Sequence, residues 1–453
     1  MSSRAGPSAP GRWWERWVAP TRPRAPTSSS SSARRWQGEP RRRRTRSHGF
    51  DPEATDVTLL PIAGHEELRR ALAGAWRRKR LPPVLLLHGA PGVGKQRLGH
   101  WLGQLLVCTE SGASSGSPGS PGDLGDPVGP CGSCRECRLA LRLEHPDLHW
   151  YVPVPRPRTR GSRDKDDEAL EDARRSWLEE ARVTPLRPTH SSEVRALHLG
   201  TIRNFRKEAR RGRGTGPRRL FLLADAEELV AQEASQEAAN ALLKLLEEPP
   251  EDTWFVLTSS EPGRLLPTIR SRSTALHVPS LPAAQVRDFL VEQGVTESAE
   301  ADRVSLLSGG SIGRALGFLG DGNDDGPLEQ TRKSALRLVN AALSSRDADV
   351  YQEALGFKAS GARGLMELLA FIEIWLRDLA AAASGVEDVI RNRDAVAWLV
   401  RKAEERQVDP SGPSRALAAV ERAREEASGN VNPQLLLTGL MLDMRRALRT
   451  SEP

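Results

Sequence analysis

Long apolar runs are missing from this sequence. No stretch approaches the roughly 20 consecutive apolar residues that a membrane-spanning helix needs, and the best run, Leu368 to Trp375, is interrupted by Glu373. The first residues carry Trp13, Trp14 and Trp17 among arginines, without the continuous apolar core of a secretory signal. These absences exclude a membrane partner and point to the cytoplasm. Cysteine is nearly absent too: four in 453 residues, all between Cys108 and Cys137. Acidic residues are scarce at one end only. Residues 1–50 hold twelve Arg against Glu15 and Glu39, a local charge of +10, so the net +7 of the whole chain leaves −3 for the remainder. Overall basicity is therefore no argument for nucleic-acid binding. Residues 1–56, with the run Ser28 to Ser32 and the cluster Arg41 to Arg44, cannot bury enough apolar surface to offset their ordering entropy. They are expected to be a disordered, solvated tail, with nonspecific DNA contact as the alternative.

What is present suits a soluble protein of two or three folded units. Hydrophobic residues make up 38% and charged residues 28%, while 33 prolines and 39 glycines indicate that part of the chain is linker. A helix is expected from Glu66 to Lys79, stopped by Arg80-Leu81-Pro82-Pro83. Val84 to His88 is a short continuous apolar run, the pattern of a strand buried on both faces of a parallel sheet. Leu98, Trp101, Leu102, Leu105 and Leu106 then repeat at helical spacing and place one apolar stripe on a helix. Two more strands are expected, Leu220 to Ala224 ending at Asp225, and Trp254 to Leu257 ending at Thr258-Ser259. Polar residues thus stand at the strands' carboxyl ends, where open α/β sheets bind ligands. Two segments, Thr109 to Pro130 and Arg156 to Ser192, look like inserted surface loops. From Leu281 onward helical periodicity replaces strand signals, in a small unit to about Gly320 and a larger one from about Leu328 to Leu448, with Asp321 to Gly326 as the hinge. The expected fold is an α/β parallel-sheet module over 57–280, a small helical unit over 281–325 and an all-α unit over 328–450.

Three constellations carry chemistry. Gly89-Ala90-Pro91-Gly92-Val93-Gly94-Lys95-Gln96 fits the pattern GxxxxGK between a strand and a helix, the context a P-loop requires. Its glycines let backbone N–H groups and the helix N-terminus face phosphate oxygens, and Lys95 adds a point charge near the β and γ phosphates of ATP. The next position needs a Ser or Thr hydroxyl to ligate Mg²⁺; here it is Gln96, too long to leave the metal in place. Asp225 ends the second strand where a Walker B aspartate belongs, but Ala226 follows it, and neither Glu227 nor Glu228 stands in the register of the water-polarising glutamate. Both departures mark a weak or inactive ATPase. The four cysteines, Cys108, Cys131, Cys134 and Cys137, have three members in Cys-x2-Cys-x2-Cys spacing. Thiolates so spaced wrap tetrahedrally around Zn²⁺, and with four protein ligands the zinc site over 108–137 is structural. Cytosolic thiols seldom form disulfides instead.

The run Ala239-Asn240-Ala241-Leu242-Leu243-Lys244-Leu245-Leu246-Glu247-Glu248-Pro249-Pro250 resembles the bacterial clamp-loader branch of the AAA+ family, as do the P-loop, the four-cysteine insertion, His145-Pro146-Asp147 and Ser271-Arg272-Ser273, in that order. The resemblance covers roughly Leu60 to Leu448. It implies an AAA+ P-loop module with a zinc insertion, a helical lid and a helical collar, in a DNA polymerase III complex with gamma/tau and delta subunits that loads the β sliding clamp on primer-template DNA. Within the family, loss of the hydrolytic residues marks a subunit that organises the ring, with Arg272 reaching the nucleotide of a neighbouring gamma subunit. Ser273 stands where the family has cysteine. Arg314 lies one place late for the family's sensor arginine, so phosphate contact is not expected of it. Leu365, Leu368, Leu369, Ile372, Leu376 and Leu379 form a wide stripe expected to be mostly core and partly collar interface. Asn432 and Pro433 are expected to start the last helix. The alternatives are a gamma/tau-type ATPase and a zinc-containing DNA-binding protein outside the clamp loader.

Overall fold

The computed structural model describes residues 59, 62–110, 129–156, 163–183, 195–211, 214, 216–229, 242–320, 324–357, 361–427 and 431–448. The expected tail over 1–56, most of the first insertion and the first half of the expected hinge lie outside these residues. Five strands form one parallel sheet: β1 (Val84–His88), β2 (Leu148–Tyr151), β3 (Arg219–Leu223), β4 (Thr253–Ser259) and β5 (Thr274–His277). Their order is β2-β3-β4-β1-β5. β1 therefore has β4 on one side and β5 on the other, and open parallel sheets place ligands at the carboxyl ends of such strands.

Alternation within the strands fills two cores. Leu85, Leu87, Leu220 and Leu222 face one side, Val84, Leu86, Phe221 and Leu223 the other. The expectation of strands buried on both faces holds for β1 and β3, and the two short sheet-edge strands, β2 and β5, were not anticipated. On the first side the helix Lys95–Val107 lies so close that a Cβ at Gly99 would stand 2.8 Å from Leu222 and one at Gly103 3.0 Å from Leu148. All its residues except Gln96 and Arg97 are buried, so it is a core helix and not the one-striped helix expected. On the second side Phe205, Phe221 and Phe255 pack ring to ring, with centroids 5.4–5.7 Å apart.

The second insertion is not a surface loop. It holds the helix Arg163–Val183. Leu170, Ala173, Trp177, Leu178 and Ala181 form an apolar stripe against the sheet's first side, and Trp177 meets Trp150 edge to face at 5.2 Å. The outer face pairs its charges along the helix or with the next one, as in Arg203–Asp167 at 2.5 Å. Dense charge masked the periodicity. The helix expected over Glu66 to Lys79 ends at Arg77, with Lys79 already at φ 55.

Beyond the sheet, helices fill 283–448 and share one continuous hydrophobic cluster from Leu281 to Leu448. The stripe from Leu365 to Leu379 is at most 2% exposed, so it is core throughout and offers no interface. Exposed apolar side chains stand elsewhere, at Tyr351, Leu355, Val431 and Leu435. Asn432 caps the helix Pro433–Leu448 as expected, its Oδ1 accepting from Gln434 N at 2.9 Å. Among the described residues no helix is long and apolar enough to cross a membrane.

Candidate functional site: a closed phosphate loop and a four-cysteine centre

The glycine loop leaves β1 at Gly89, where any Cβ would lie 2.2 Å from the carbonyl oxygen of Val278. Only glycine fits that approach of β5's exit to the loop. His65, itself buried, holds the far side, its Nε2 2.7 Å from the Val93 carbonyl. This brace was not visible in the sequence.

Lys95 is 4% exposed and turned back on its own loop. Its ammonium donates to Gly89 O at 2.9 Å, Ala90 O at 2.8 Å and Ser260 Oγ at 2.9 Å. An ammonium has three donors, so all are used within the protein. Burial lowers the Lys95 pKa, and the carboxylates of Asp225 and Glu227 act against that. The amide nitrogen of Gln96 lies 3.4 Å from each Asp225 carboxylate oxygen, the far edge of hydrogen bonding. A donor thus fills the space between loop and aspartate where a metal hydroxyl would stand. The loop's outer carbonyls are also engaged: Ser311 Oγ donates to Pro91 O at 2.9 Å and Gly313 N to Gly92 O at 3.1 Å, docking the helix Ile312–Phe318 on the loop. Arg314 on that helix pairs with Glu367 at 2.7 Å, in keeping with its displaced register.

Asp225 takes φ 49, a left-handed conformation that turns the chain. Ala226 consequently enters the core, and the Glu227 carboxylate faces the loop, accepting from Ser260 N at 2.8 Å with its other oxygen buried and unpaired among the described residues. Glu227 thus accepts from the backbone of Ser260, whose hydroxyl accepts from Lys95.

The four cysteines come together, with all Sγ atoms within 4.8 Å of one another. Cys131 Sγ to Cys137 Sγ is 3.8 Å and Cys134 Sγ to Cys108 Sγ is 4.0 Å. A zinc tetrahedron with bonds of about 2.3 Å has edges near ~3.8 Å, so the sulfur positions fit that ion. Backbone N–H groups of Cys131, Cys134 and Cys137 donate to the sulfurs of Cys108, Cys131 and Cys134, as thiolates require.

His145-Pro146-Asp147 ties this centre to the sheet. The Asp147 N–H donates to His145 Nδ1 at 3.0 Å, which leaves the proton on Nε2, 3.0 Å from Glu136 between Cys134 and Cys137. Asp147 Oδ2 in turn accepts from Gly216 N at 2.7 Å. Beside this brace His100, His145, His149 and Trp150 line a cavity of about 30 Å³. Burial, then Arg97, lowers His100 to about 3; burial, then Arg174, lowers His149 to about 4. Both fall below the unfolded value of 6.5, so their contribution to stability is complete above pH 6.5 and is lost as pH falls from 6.5 towards 4 and then 3. We expect urea unfolding free energy to decline across that window by up to about 1.4 kcal/mol per pH unit for each such histidine. His149→Asn should flatten the slope, and an unchanged slope would show that His149 is neutralised by some other means.

Arg272 lies at the end of the helix Pro267–Ser271. Its Nε donates to Glu247 Oε1 at 2.7 Å and its Nη1 to Thr268 O at 3.0 Å. Glu247 ends the described helix 242–247; Ala239, Asn240 and Ala241 of that family-like run lie outside the described residues.

A glycine loop leaving the inner strand β1 of a β2-β3-β4-β1-β5 parallel sheet, with an aspartate after β3 and a helical carboxyl-terminal part, defines an AAA+-type P-loop module, here with a four-cysteine cluster. A family model described as DNA polymerase III, delta subunit, matches residues 64–282. The delta-prime subunit of DNA polymerase III from Escherichia coli is 33% identical over 215 residues, 47% of this chain and 60% of that protein. The delta-prime subunit from Bacillus subtilis is 27% identical over 231 residues, 50% of this chain and 65% of that protein. Over residues 64–282 the chain is thus similar to delta-prime subunits of DNA polymerase III; it spans less than two thirds of those relatives' length. Among solved structures, a gamma subunit-related protein from Thermotoga maritima shares 15% identity at a TM-score of 0.31, covering 83% of this chain and 100% of that one.

Proposed function

We propose that the chain is a clamp-loader subunit that completes a neighbour's ATP site and leaves its own unused. The observation that carries this reading is the pairing of a Lys95 ammonium satisfied by its own loop with the Gln96 amide set against Asp225. An empty hydrolysing loop can also fold its lysine back, so Gln96 is the distinguishing residue. Nucleotide entry must first break three hydrogen bonds of Lys95, and Mg²⁺ then meets an amide donor where its hydroxyl ligand should be. Residues 281–325 act as a lid and 328–450 as a collar, in a complex with gamma/tau and delta subunits that places the β sliding clamp on primer-template DNA. Zn²⁺ on Cys108, Cys131, Cys134 and Cys137 holds the knuckle rigid and takes no part in hydrolysis. Arg272 projects to a gamma-type neighbour's triphosphate.

Mixing the purified chain with gamma/tau and delta subunits should give a discrete stoichiometric complex; no association at micromolar concentration would contradict the assignment. Gln96→Thr should remove the amide from Asp225 and raise Mg²⁺-dependent ATP affinity of the isolated chain by about tenfold or more, the gain of roughly one charge-assisted contact. No gain would mean that something other than Gln96 closes the loop. Glu227 favours the alternative of an active ATPase, since its buried carboxylate stands beside Ser260. Turnover by the isolated chain that is lost in Glu227→Gln would support that alternative.

A further inference from the structure

We propose that Glu247 is a positioning residue for Arg272, holding the guanidinium folded back on its own subunit until a neighbour's nucleoside triphosphate displaces it. The inference rests on the reading of Arg272 given above and adds its regulation.

The geometry restrains the arginine on two sides. Arg272 Nε lies 2.7 Å and Nη2 2.5 Å from the same oxygen of Glu247. Nη1 donates to Thr268 O at 3.0 Å and stands 3.4 Å from Ser271 Oγ. A guanidinium has five N–H donors, and a phosphate is gripped by two adjacent ones. Four of the five are directed into the protein here, so the folded-back side chain cannot offer a phosphate a fork. Release from Glu247 frees Nε and Nη2 together, the edge that bidentate recognition uses.

Both ends of the restraint are anchored in one core. Leu242, Leu245 and Leu246 are at most 3% exposed on the sheet's second side and leave Glu247 at the outer end of its helix. Ile269, fully buried in the same cluster, fixes the helix that carries Arg272. The pair itself is open to water, with side chains 33% and 45% exposed, and is therefore breakable. An incoming triphosphate adds repulsion against the Glu247 carboxylate to its attraction for Arg272, so one event both frees and captures the arginine. The competing account is an ordinary surface ion pair that steadies the helix end.

Kinetics of the assembled complex with gamma/tau and delta separate these accounts. Glu247→Gln should lower the ATP concentration for half-maximal ATPase by about 1.5- to 5-fold, the worth of an exposed ion pair, with kcat unchanged. The shift should vanish in the Arg272→Ala background, and Glu247→Asp should restore the wild-type value. An unchanged KM, or a shift that persists without Arg272, would reduce Glu247 to a structural role. A rise in KM that depends on Arg272 would mean that Glu247 presents the arginine instead of restraining it, and would overturn the proposal. Should Arg272→Ala itself leave every kinetic parameter unchanged, the failure belongs to the reading of Arg272, and the restraint falls with it.

Discussion

Arg272→Ala is expected to slow ATP turnover at the neighbouring gamma-type site by roughly 10³-fold in a reconstituted complex, the lower end of what an arginine supplied from outside an NTPase site contributes. The expectation follows from where the residue sits. Its helix is anchored through Ile269 in the module's own core, while its guanidinium reaches the surface partners Glu247, Thr268 and Ser271. Within the subunit it stabilises little, since an exposed pair is worth about 0.2–1 kcal/mol. Against charge developing on a transferred phosphoryl group in a water-excluded site the same guanidinium would contribute several kcal/mol. Arg272→Lys should recover only part of the rate, as an ammonium keeps the charge but loses the planar fork. Measured with the β clamp and primed DNA present, an unaltered rate in both variants would remove Arg272 from the mechanism.

The other large effect is expected at Cys137. Metal analysis of the wild-type chain should find about one zinc per polypeptide and Cys137→Ser close to none, because closed tetrahedral sites need all four thiolates. Structural zinc contributes on the order of 10 kcal/mol in isolated finger peptides. Zinc bound here would be coupled to the sheet through the hydrogen bonds of Glu136, His145 and Asp147. Loss of the ion should therefore spread beyond the knuckle. Amides of β2 and of the carboxyl end of the helix Lys95–Val107 should exchange faster in Cys137→Ser, while those of the helices over 327–448 keep their protection. Full zinc content in the variant would mean that three thiolates suffice, and normal exchange in the metal-free variant would mean that the histidine brace holds the module unaided.

Sequence alone located the parts whose pattern is local. β1, β3 and β4 are continuous apolar runs because both their faces are covered, and the cysteine spacing and glycine loop are short-range signatures. β2 and β5 escaped notice because edge strands bury less and tolerate His149, Thr274 and His277. The helix Arg163–Val183 was hidden by its charges, although Leu170, Ala173, Trp177 and Leu178 carry its stripe. Linear register does not show that Glu227 reaches Ser260, because Asp225 turns left-handed at the strand exit. The partners of the key cations were beyond any local pattern: Ser260 lies 165 residues from Lys95, and Glu247 lies 25 from Arg272.

A chain whose P-loop lysine is occupied by its own backbone, and whose metal position is filled by a glutamine, should be silent by itself and necessary in company. Steady-state ATP hydrolysis by the purified chain, with Mg²⁺ and without other subunits, tests this most directly. The account predicts a rate indistinguishable from a Lys95→Ala control. Turnover of about 1 s⁻¹ or more, in the ordinary range for enzymes and abolished by Lys95→Ala, would contradict it.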